Sequence, residues 1–197
     1  MPIAINGSGT VTGVSVGGLP DGIVDTDMLA ANAVTAAKTT VPGIQMIDSW
    51  HITANYSTNG NNDITSNWAR FSAGGFNIGN IGTGMSESSG IFTFPSTGIY
   101  QVISELMFRV NGGRSYLGLR QAISSDSGGS FDNALTNYSN AYINTAYANV
   151  CQVCTYDITN ASTFRIKFVS NFSDTGTVQG GSNYKGSGAT FIKMGDT

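Results

Sequence analysis

The chain has 197 residues, and only 11% of them are charged, against roughly 25% in an average globular domain. Net charge is −3 and the pI is about 4.8, which excludes a basic nucleic-acid-binding stripe. No run approaches the roughly 20 apolar residues of a membrane-spanning helix, so no membrane insertion is expected.

The 26 glycines, with abundant Ser, Thr and Asn, favour turns and short strands over helices. The first residues, Met1-Pro2-Ile3-Ala4-Ile5-Asn6-Gly7, lack a basic segment followed by a long apolar one, and so do not read as a signal peptide. Synthesis in a cytoplasm is expected, with release by another route such as lysis.

Every Trp, Tyr and Phe, and both cysteines, lie at Trp50 or later. Residues 1–43 therefore read as a separate N-terminal arm, and 44–197 as the head. The arm's apolar residues are small or aliphatic. They bury too little area to offset backbone ordering at about 1–2 kcal/mol per residue. Such a segment is either disordered or completed by other chains; its spaced valines favour completion, and Leu19, Ile23, Val24, Met28, Leu29 and Val34 are its candidate anchoring residues. Gly17–Gly22 is turn chemistry around Pro20, and Asp25-Thr26-Asp27 predicts the capped start of a short helix through Ala31.

From Ile44 onward the apolar period is two. Strands are predicted at Gln45–Thr53, Gly90–Phe94, Tyr100–Val110, Tyr116–Ile123, Ala148–Ile158, Thr163–Phe172 and Ala189–Met194, joined by Gly/Ser/Asn turns. This spacing predicts an all-β sandwich or jelly roll. In Tyr100–Val110, Ile103 and Met107 interrupt the polar face. In Ala148–Ile158, Cys151 and Val153 lie opposite Val150, Cys154, Tyr156 and Ile158. A face open to water would be more polar, so Ile103, Met107, Cys151 and Val153 are the candidate residues of an interface between subunits.

Gly90-Ile91-Phe92-Thr93-Phe94-Pro95-Ser96-Thr97-Gly98-Ile99-Tyr100 resembles the F-x-x-P-x-x-G-x-Y strand–turn–strand of complement-1q-type heads. Ser187–Met194 is similar to the closing strand of that family, without the glycine between its aromatic positions. The resemblance implies a jelly roll of the tumour-necrosis-factor type assembled as a homotrimer, with its first and last strands side by side at the base. The arm, Gly18–Lys38, is similar to phrases in fibres and other surface proteins of tailed bacteriophages. Together these resemblances imply a homotrimeric virion protein. Its arm would meet other virion proteins, and its head would engage a host-surface glycan or protein. Alternatives are a capsid decoration protein and, less well supported, a polysaccharide depolymerase.

Catalytic and metal residues are not expected, and no cofactor is implied. Cys151 and Cys154 are spaced C-x-x-C but stand three apart on a strand, which points them to opposite faces, and they are expected to be ordinary buried thiols. His51 is the single histidine and falls in a predicted strand beside Trp50. Asp126 and Asp132, in a Gly/Ser-rich loop, read as turn formers rather than a carboxylate pair. Two segments predicted as exposed loops, Asn55–Asn62 and Asn137–Tyr142, combine Tyr with amides. They supply the candidate partner-binding residues Tyr56, Asn59, Asn61, Tyr138 and Tyr142.

Overall fold

The computed structural model describes residues 4–5, 11–12, 43–72, 80–110, 116–141 and 146–197. The chain divides into two units, Met1–Val41 and Pro42–Thr197. In the first, β1 (Ala4–Ile5) pairs antiparallel with β2 (Val11–Thr12). The predicted helix near Met28 and the anchor candidates Leu19, Ile23, Val24, Met28, Leu29 and Val34 lie outside the described residues.

The second unit is all β among its described residues. Its strands are β3 (Met46–Ile52), β4 (Tyr56–Asp63), β5 (Trp68–Arg70), β6 (Ser86–Ser88), β7 (Ile91–Thr93) and β8 (Gly98–Val110), followed by β9 (Leu117–Ser124), β10 (Asp132–Ser139), β11 (Tyr147–Ile158), β12 (Arg165–Val178) and β13 (Gly188–Gly195). All pair antiparallel. One layer runs β5-β3-β13-β8-β11. In the other, β10, β9 and β12 follow in order, with β7 and β4 paired at successive places along the far edge of β12. Past an irregularity between Phe172 and Gly176, the end of β12 pairs with Val110, Arg109 and Phe108 of β8 and so links the layers.

The seven predicted strands correspond to β3, β7, β8, β9, β11, β12 and β13. Four others, β4, β5, β6 and β10, were not predicted. Two correct the expectation of loops: Asn59 and Asn61 stand on β4, and Tyr138 stands on β10. Their Asn, Gly and Ser content reads as turn chemistry. Here these residues need only backbone pairing with β12 or β9, and half of their side chains face water.

Alternation sorts the interior. On β8, Tyr100, Val102, Ser104, Leu106, Phe108 and Val110 are buried, while the residues between them are half-buried. Phe92 is the hub of the core, with the rings of Trp50, Trp68, Phe168 and Phe191 at 5.0–5.6 Å between centroids. The turn into β7 needs glycine at position 90. Its φ is +79°, and a Cβ there would stand 2.2 Å from the Ile64 carbonyl oxygen.

Two polar clusters stand inside this apolar frame. The buried Asp48 carboxylate accepts from Trp50 Nε1 at 2.9 Å, Met85 N at 2.6 Å and Arg70 Nε at 2.9 Å. It thereby ties β3 to β5 and to the segment before β6. The second cluster bridges the layers. Gln121 Nε2 donates to Ser104 Oγ at 2.8 Å, Tyr156 OH donates to Gln121 Oε1 at 2.7 Å, and Gln152 Nε2 donates to the Leu119 carbonyl at 2.6 Å.

Replacing Asp48 with Ala strands two buried N–H donors, and is expected to cost about 3 kcal/mol. The check is a lower urea midpoint with an unchanged denaturant slope. Burial, with the Cys154 thiol beside it, pushes the Tyr156 phenol well above its ordinary pKa of 10.0. The folded state thus favours the neutral phenol, and unfolded chains lose that proton first. The stabilisation is complete below pH 10 and is lost as the pH rises beyond it. Alkaline unfolding of Tyr156→Phe should show a shallower fall in stability above pH 10 than the parent.

Candidate functional site

The layer β5-β3-β13-β8-β11 has an inner face on the core and an outer face with its own pattern. Register sets the rows of that outer face. Val153 of β11 pairs with Ile103 of β8, which pairs with Thr190 of β13, which pairs with Ser49 of β3. One row away stand Thr155, Gln101, Ile192 and Ile47, and Ile47 is bridged in turn to Ile81. On the other side come Cys151, Glu105, Gly188 and His51. Val153 is 54% exposed and Ile81 52% exposed, so apolar surface remains open across the sheet.

Three of the four predicted interface residues, Ile103, Cys151 and Val153, are neighbours here. Met107 shares their face one row further on, where the chain covers part of the sheet itself. Ser187 Oγ accepts from Met107 N at 3.0 Å, and a Cβ at Gly186 would meet Met107 Cε at 2.6 Å. Lys185 Nζ lies 3.1 Å from Glu105 Oε1 and donates to Thr190 Oγ1 at 2.8 Å. A recess of about 340 Å³ remains beside it, lined by Glu105, Met107, Asn149, Cys151 and Lys185. Sequence reasoning missed Ile47, Ile81 and Ile192. Ile192 carried the same period-two signal as Ile103, but only strand order puts the three side by side.

The cysteines correct one expectation. Cys151 is exposed and Cys154 half-buried, and both are free thiols. Cys151 sits at an outward position of β11 and is exposed among the described residues. His51 is buried with its ring 4.9 Å from that of Phe71, and its Nδ1 stands 3.3 Å from the Tyr184 carbonyl oxygen. Asp126 is held in a turn, where Ser124 Oγ donates to it at 2.6 Å and Ser130 N and Oγ at 2.9 and 2.8 Å. These bonds hold its carboxyl well below the usual carboxylate range. Among the described residues, no three of His, Cys, Asp and Glu come together as metal ligands.

The candidate partner-binding residues divide between the two sides of the other layer. Tyr56 packs against the core, which removes it as an exposed platform. Asn59, Asn61 and Tyr138 are exposed. Tyr142 lies outside the described residues.

No family model matches the sequence, and no curated protein matches it. Solved structures do match. Eiger TNF from S. frugiperda has a TM-score of 0.60 at 9% identity, covering 78% of this chain and 95% of that one. Murine APRIL has a TM-score of 0.52 at 14% identity, covering 75% and 98%. The head is a jelly roll of the tumour-necrosis-factor type. At such low identity the likeness is one of fold, and it agrees with the side-by-side pairing of the first and last head strands, β3 and β13.

Proposed function

We propose that this chain is a homotrimeric, non-catalytic surface protein of a bacteriophage particle, with residues 1–43 anchoring it to other virion proteins and the head engaging the host surface. The observation that carries the reading is the set of apolar side chains Val153, Ile103, Ile192 and Ile47 on adjacent strands of the outer face, with Val153 54% exposed. A sandwich layer facing water on its outer side would be polar there. Copies packed through this face would each bury Val153 and Cys151 and leave the second layer outward. An obligate contact of this kind should bury more than about 1,000 Å² per pair. Three identical heads then raise weak surface contacts to useful avidity through effective concentration.

The virion assignment draws on the arm's similarity to phage surface proteins and on the low charge, which suits packing against copies of itself. A capsid decoration role is the alternative for the same trimer. Immunogold labelling of the phage particles distinguishes the two by position, on tail or fibre against capsid lattice. Particles carrying no label would remove the virion reading.

Light scattering on the full-length protein at micromolar concentration is expected to give three times 20.5 kDa. Val153→Glu, which puts a charge on the exposed apolar part of the face, is expected to give a folded single chain. A parent that runs as a well-folded monomer overturns the trimer. Alkylation supplies a second check: Cys151 should react slowly with iodoacetamide in the parent and readily in Val153→Glu.

A further inference from the structure

We propose that the outer face of the layer formed by β4, β12, β9 and β10 is a docking site for a neutral glycan, with the Tyr138 ring as its stacking platform. This rests on reading the head as a binding module, and it names the face and the ligand class.

Strand register puts Asn61, Asn171, Gly118 and Tyr138 in one row across four strands. Tyr138 starts on β10, yet its hydroxyl accepts from Asn171 Nδ2, two strands away on β12, at 2.8 Å. The side chain must therefore cross β9, and it does so over Gly118. A Cβ there would stand 2.6 Å from Tyr138 Cδ1 and 2.8 Å from Cε1. Gly118 has no left-handed φ, so the backbone makes no demand for glycine at this place. What the missing side chain provides is room for the ring to lie along the sheet. One face of the ring is turned to the backbone and the other to water, and Tyr138 is 52% exposed. The Tyr116 ring stands edge-on beside it, 5.2 Å away at 79°.

An aromatic face carries negative π density, which attracts the weakly positive C–H groups on one side of a pyranose ring. Carboxamides bring both donors and acceptors, the pairing that sugar hydroxyls require; the exposed Asn61 shares the row with the ring, while the buried Asn171 holds the ring's hydroxyl. Of the charged groups on this face, Lys167 is paired with Asp63 at 2.7 Å. In the next row Arg120 of β9 pairs with Thr136 of β10, and Val169 of β12 beside them is only 8% exposed, so this row offers little aliphatic surface.

The test is saturation-transfer NMR of the full-length protein with dextran, laminarin, α-mannan and galactan as probes. At least one of these is expected to bind, and Tyr138→Ala should weaken it by about tenfold or more. Gly118→Ala should weaken it as well, although residue 118 touches no sugar, because the added methyl displaces the ring. Sedimentation of each variant reports the number of chains, so a failure of assembly is told apart from a failure of the platform. The proposal is overturned if none of the four polymers binds, or if Tyr138→Ala binds as tightly as the parent.

Discussion

Strand β8 is hydrogen-bonded to β11 along its length on one edge, and to β13 and the end of β12 on the other. With both edges satisfied, the strand is locked in register. A slip of one residue would turn Tyr100, Val102, Leu106 and Phe108 out of the core and bring Gln101, Glu105 and Arg109 in. The cost of that exchange fixes which side chains form the interior and which form the outer face. The core around Phe92 and the row through Ile103 and Val153 both follow from it.

The two outer faces of the sandwich have different chemistry. On the β8 side, Ile47, Ile103, Ile192 and Val153 lie on adjacent strands. On the β12 side, Asn61, Asn171 and Tyr138 lie in one row with Gly118. Apolar surface gains most from a partner that excludes water, whereas amides and an exposed ring suit a polar ligand. In the proposed reading the first face meets other copies of the chain and the second meets the outside. Between the layers, Gln121, Gln152, Ser104 and Tyr156 join polar groups of both. A wrong stacking of the layers would leave those groups buried without partners, so the cluster adds specificity to the packing.

Asn-Tyr-Ser occurs at residues 55–57 and again at 137–139. Both segments read as exposed loops from their composition, and both are strands. Tyr56 packs on the core while Tyr138 lies on the surface. The local residues are the same; what differs is the face each position takes in its strand, which is set by pairing with β12 in one case and β9 in the other. Strands β4 and β10 escaped prediction for a related reason. Much of what holds them is backbone pairing, and that leaves no apolar alternation to read.

The amino-acid sequence alone determined the all-β class, the seven apolar strands and the two-sided character of β8 and β11, because period-two alternation is a local property written residue by residue. It also marked the turn chemistry before Gly98 and the change in aromatic usage at Trp50. Tertiary structure decided which strands are neighbours. Only that order joins Ile47 and Ile192 to Ile103, exposes Cys151, folds residues 184–187 over Met107 and lays Tyr138 across Gly118. Each of these depends on contacts between residues far apart in the chain, where closing the intervening loops and burying shared area outweigh local preference.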